Sequence, residues 1–107
     1  MKRRTMKRQK AEMNPPQNVE IAIAWLRRDQ YELLRALSAD GESLEQTYDE
    51  WEMEVLKRKH DFESNGFVVH RIEVELNALV SWCKSEGRAL DGKARAEYAA
   101  RRLGREL

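Results

Sequence analysis

The sequence predicts an α+β domain, a small two-stranded sheet covered by helices in the order β-α-α-β-α-α. Three observations predict it. Two short segments, 19–25 and 67–74, place apolar residues with a period of two. Four others carry apolar residues at helical spacing. Turn signals at Asp40-Gly41, Asn65-Gly66, Gly87 and Asp91-Gly92 separate the segments.

The first strand is read from Val19, Ile21, Ile23 and Trp25 alternating with Glu20, Ala22 and Ala24. β-branched and aromatic side chains suit a pleated, half-buried surface. A competing reading makes 19–38 one helix, with Val19, Ile23, Leu26, Leu33 and Leu37 on a stripe, and the protein all-α. Asp29 decides between them. Followed by Glu32, it reads as a helix N-cap with a carboxylate three residues on, which has no place inside a continuous helix. The expectation is therefore a strand, then a helix over about 30–38 presenting Tyr31, Leu34 and Leu37.

A capping box, Ser43 with Gln46 or Thr47 with Glu50, opens the next helix. Leu44, Tyr48, Trp51, Val55 and Phe62 share one stripe of it. Asp49, Glu50, Glu52 and Glu54 lie in its first half, and Lys57, Arg58 and Lys59 in its second. That order complements the helix dipole, and Glu54–Arg58 is an expected ion pair. Gly66 is expected to end it in a left-handed conformation.

In the second strand Val68, His70, Ile72 and Val74 face one way, and Phe67, Val69, Arg71 and Glu73 the other. Leu76, Leu79, Val80 and Cys83 then mark a helix that stops at Gly87. Asp91 caps a last helix over about 92–103, with Ala96, Ala99, Ala100 and Leu103 inward and its end at Gly104.

The 107 residues suffice for one small domain. Mean hydropathy is −0.82, and no apolar run approaches the roughly 20 residues of a membrane span. No apolar stretch follows the basic start, so no secretory signal is expected. A lone cysteine, Cys83, makes no internal disulfide, so a reducing, cytoplasmic setting is expected.

The net charge of +1 hides an asymmetry. Residues 1–17 hold Lys2, Arg3, Arg4, Lys7, Arg8 and Lys10 against Glu12 alone, which is +5. The other 90 residues hold 14 basic and 18 acidic side chains, which is −4. A block of like charge followed by Pro15-Pro16 reads as a flexible basic arm, with 18–107 as the single folded domain. Within the arm Met1-Lys2-Arg3-Arg4-Thr5 nearly repeats as Met6-Lys7-Arg8-Gln9-Lys10.

Several stretches together resemble a recurring pattern of small, uncharacterised bacterial proteins. They are Thr47-Tyr48-Asp49-Glu50-Trp51-Glu52, Gly66 with its strand, Leu79 to Lys84, and Asp91 to Ala99. The similarity spans about residues 25–103. It implies a free-standing, cytoplasmic bacterial domain and carries over no functional residues.

The candidate chemistry is sparse. Cys83 lies near a helix C-terminus on the apolar stripe, the wrong place for an activated nucleophile, and reads as a buried structural thiol. His60 sits among charged neighbours and reads as a surface group. His70 shares a strand face with Val68, Ile72 and Val74, so it is either a hydrogen-bonded core group or the floor of a cleft. His60, His70, Asp61, Glu63 and Cys83 have no metal-ligand spacing, and no glycine-rich phosphate loop is present, so no metal or cofactor is expected. An enzyme is the least favoured class.

Two interaction readings remain. One is a self-associating module, because a two-stranded sheet is marginal alone and its edges are repaired by pairing with another chain. Trp82, off the main stripe of its helix, is the candidate interface residue. The other is a nucleic-acid-associated protein using the arm (Lys2, Arg3, Arg4, Lys7, Arg8, Lys10) with Arg101, Arg102 and Arg105 of the last helix.

Overall fold

A computed structural model describes residues 19–106. The basic arm expected over 1–17 lies outside the described residues. Six elements follow in the predicted order: β1 Glu20–Trp25, α1 Tyr31–Leu37, α2 Tyr48–Ser64, β2 Val68–Glu73, α3 Leu76–Ser85 and α4 Gly92–Glu106. The fold is α+β. β1 is a strand, which removes the all-α alternative.

The two strands pair in parallel, with Glu20 opposite Val68 and Trp25 opposite Glu73. Val68 N–H donates to the Val19 carbonyl at 2.9 Å, and Val74 N–H to the Trp25 carbonyl at 2.9 Å. In a parallel ladder the bonding residues of one strand alternate. Val19, Ile21, Ile23 and Trp25 therefore direct their backbone groups to β2. Glu20, Ala22 and Ala24 direct theirs to the opposite edge, where the sheet has no further strand among the described residues.

The sheet separates two apolar clusters. Ile23 and Trp25 join Tyr31, Leu34, Trp51, Val55, Leu79 and Cys83 in the larger one. Ile72 meets Ala99 and Leu103 of α4 in the smaller one, with Ala22 and Ala24 against them. The alternation of large and small residues in β1 thus has a packing reason. Bulky side chains fill the main core, while alanines let α4 lie close to the strand.

α2 opens with the reciprocal capping box of Thr47 and Glu50, and the Ser43–Gln46 option is not used. It ends with Phe67 N–H on the Phe62 carbonyl and Gly66 N–H on the Glu63 carbonyl, each 3.1 Å. Gly66 is at φ 93°, and the Phe62 and Phe67 rings meet edge-on at 5.7 Å, the apolar contact that accompanies this ending. Gly87, at φ 64°, ends α3 in the same manner. The α3 cap is Glu75, an unusual choice. Its carboxylate accepts from the N–H groups of Asn77 and Ala78, which hold its pKa below the ordinary value.

Several expectations fail for identifiable reasons. Asp29 does not cap α1. It sits within a single 3₁₀ turn, Arg28–Gln30, and its carboxylate takes the Arg27 guanidinium instead. Leu37 is 52% exposed, because two successive i+3 steps carry it about 120° around α1 from the buried Tyr31. Glu54 pairs with Lys57 rather than Arg58. In α4 the inward positions are Ala94, Arg95, Ala99 and Leu103, while Ala96 and Ala100 are exposed. The helix also runs through Gly104 to Glu106.

Arg95 is a charged residue only 8% exposed. It donates to both Asp40 oxygens at 3.1 and 2.7 Å and to Ser38 Oγ at 3.2 Å, tying α4 to the turn after α1. That turn is tight, and a Cβ on Gly41 would collide with the Arg35 carbonyl oxygen. The hydrogen bond from Arg95 holds the Asp40 carboxyl below its ordinary value. The folded chain then binds fewer protons than the unfolded chain in the acid range. The resulting stability is complete above the ordinary carboxylate pKa of about 4 and fades as pH falls through the lower folded value. Thermal melting in acid should show this loss, and Asp40→Asn should flatten the pH dependence. An unchanged profile in Asp40→Asn would contradict this role for Asp40.

Candidate functional site

The open edge of β1 forms the floor of a groove of about 400 Å³. Ile21, Ala22, Ile23 and Ala24 line it continuously. On one side stand Trp51, Val55, Arg58 and Phe62 of α2, and on the other Gly92, Arg95 and Ala96 of α4. Leu44 and Glu45 close one end. A strand edge bordered by apolar side chains is the geometry that accepts an added strand. Gly92 and the exposed Ala96 keep the α4 wall low beside it.

A second concavity, about 430 Å³, lies at the carboxyl ends of the strands. Trp25, Tyr48, Arg27, Arg28, Arg71 and Glu73 contribute to it, with Asp29. The Arg71 guanidinium lies 3.8 Å over the Trp25 ring and that of Arg28 4.6 Å over Tyr48. Sequence reasoning missed this cluster, because Arg71 is 43 to 46 residues from Arg28 and Trp25 and meets them only through the parallel pairing. The adjacent Arg27-Arg28 pair directly after a predicted strand was the available signal.

The residues singled out from sequence are dispersed. His70 is half-buried on the α4 side of the sheet, where its ring nitrogen meets the Glu20 carboxylate across the strand pair. It lines neither concavity. Trp82 is half-buried and packs on Tyr98 at 5.5 Å. Arg88 and Arg101 approach its ring at 5.4 and 5.5 Å, and both bind Glu97 at 2.6 and 3.0 Å. Its own chain therefore supplies partners to the ring proposed for an interface. Arg102 lies 6.0 Å over Tyr98, and Arg105 is exposed. Lys2, Arg3, Arg4, Lys7, Arg8 and Lys10 lie outside the described residues. Cys83 is buried, and burial pushes its thiol pKa up, which disfavours the thiolate. His60 is exposed beside Ser64.

Among the described residues no three His, Cys, Asp or Glu side chains are grouped to hold a metal ion. None of the described helices is long and apolar enough to cross a membrane. No family model, curated protein or solved structure matches the chain.

Proposed function

We propose that the protein is a self-associating interaction module that dimerises by antiparallel pairing of β1 with β1 of a second copy. The supporting observation is the unpaired edge of β1 on the floor of a groove whose walls carry Trp51, Val55 and Phe62 beside Arg58 and Arg95. The outward groups of Glu20, Ala22 and Ala24 are symmetric about Ala22. A two-fold axis there sets Ala22 opposite Ala22, Glu20 opposite Ala24 and Ile21 opposite Ile23. The two Glu20 carboxylates then sit at opposite ends of the paired strands, so like charges do not meet. One patch satisfies itself, and the sheet grows from two strands to four. The reading takes the protein as cytoplasmic and bacterial, on the sequence resemblance and the lone cysteine.

Light scattering on the full chain should give twice 12.6 kDa. The outer face of α2 provides the control, since Met53 is 62% and Leu56 47% exposed there. A Met53→Glu, Leu56→Glu double variant should keep the dimer. A fall to monomer in that variant would move the contact to α2 and overturn the edge reading.

Nucleic-acid association is the lesser reading. It rests on the arm and on Arg101, Arg102 and Arg105, of which Arg101 already holds Glu97 and Arg102 lies over Tyr98. A salt-dependent mobility shift on nonspecific DNA or RNA would favour it.

A further inference from the structure

We propose that the cleft at the carboxyl ends of β1 and β2 binds a sugar phosphate, with Arg71, Arg28 and Arg27 on the phosphate and Glu73 on the sugar hydroxyls. This site lies at the strand ends and does not depend on pairing at the β1 edge.

The argument starts from the arginines. The Arg71 guanidinium lies over the Trp25 ring and that of Arg28 over the Tyr48 ring, contacts that hold both cations at the cleft. Arg27 holds Asp29 through two hydrogen bonds of 3.1 and 2.9 Å, and Arg28 holds Asp49 at 2.8 Å. Arg71 is exposed and pairs with no carboxylate among the described residues.

These partners decide the ligand class. A carboxylate ligand would only replace Asp29 or Asp49 with its equal. A phosphate dianion offers more charge and three oxygens, and guanidiniums bind it bidentately. Glu73, two residues beyond Arg71 on the same face of β2, opposes a bare phosphate. A carboxylate in that position suits hydroxyl donors, as at a ribose. The carboxyl ends of parallel strands are where open α/β sheets form ligand crevices, and about 430 Å³ falls within the range of small-molecule sites.

The test is a titration of the full chain with ribose-5-phosphate, inorganic phosphate and ribose. It is followed by NMR at the arginine Nε–H and tryptophan indole N–H groups. Ribose-5-phosphate should give saturable shifts at Arg71 and Trp25 and bind more tightly than inorganic phosphate. Arg71→Gln and Arg71→Lys should each weaken binding about tenfold or more, the lysine because it keeps the charge but loses the fork. Glu73→Gln should weaken ribose-5-phosphate and leave or improve inorganic phosphate. Unperturbed spectra elsewhere would show these surface variants folded. Shifts confined to residues 1–18, equal affinity for phosphate and ribose-5-phosphate, or binding indifferent to both arginine variants would each overturn the proposal.

Discussion

Trp51→Ala should destabilise the domain by roughly 3–5 kcal/mol in urea unfolding, whereas Glu52→Ala should change stability by less than about 0.5 kcal/mol. Trp51 is 7% exposed and joins the two halves of the main core. Its ring lies 5.6 Å from Trp25 of β1, 6.1 Å from Tyr31 of α1 and 5.3 Å from Tyr48 at the start of α2. Truncation removes a large apolar volume and leaves three rings facing a cavity. These rings are held by other contacts, since the Tyr48 and Tyr31 hydroxyls donate to the carbonyls of Leu26 and Glu45. The site therefore collapses little, which raises the cost. Similar losses in both variants would contradict the assigned inward face of α2.

At a dilution where both chains are monomeric, Ile23→Pro should cost about 3 kcal/mol or more, and Ala22→Pro, one residue away, about 1–2 kcal/mol. The difference comes from the parity of the parallel ladder. Ile23 N–H points to β2, so proline there removes a bond inside the sheet and also a buried side chain, 9% exposed. Ala22 N–H points to the open edge, so proline there breaks no bond of the sheet, and its cost is the crowding of a larger ring against α4. Its ring also asks Ile21 for an extended backbone, which a strand already has. Equal destabilisation would mean that the outer groups of Ala22 are engaged within one chain.

Much of the fold was legible because the deciding signals are local. Ile23 and Trp25 are buried on either side of a less buried Ala24, and Ile72 and Val74 are buried on either side of an exposed Glu73. Thr47 with Glu50 and Gly66 with Phe67 fix both ends of α2 within a few residues. The failures arise where a distant partner outbids a local rule. Asp29 would cap a helix in isolation, but Arg27 takes its carboxylate. Arg95 reads as a surface cation on an alanine-rich helix, yet Asp40, 55 residues away, draws it inward. The candidate sites were less legible for the same reason. Neither strand direction nor neighbour is written in an alternating pattern, and both the open β1 edge and the Arg71 cleft follow from the parallel pairing. His70, which the pattern left as either a hydrogen-bonded group or the floor of a cleft, bonds Glu20 from the adjacent strand.

Sedimentation equilibrium on the full chain and on Ala22→Pro tests the edge-pairing account most directly. The unmodified chain should sediment at twice 12.6 kDa, and the folded Ala22→Pro variant at 12.6 kDa. An unmodified chain that stays monomeric as concentration rises, or a dimer that survives in folded Ala22→Pro, would contradict it.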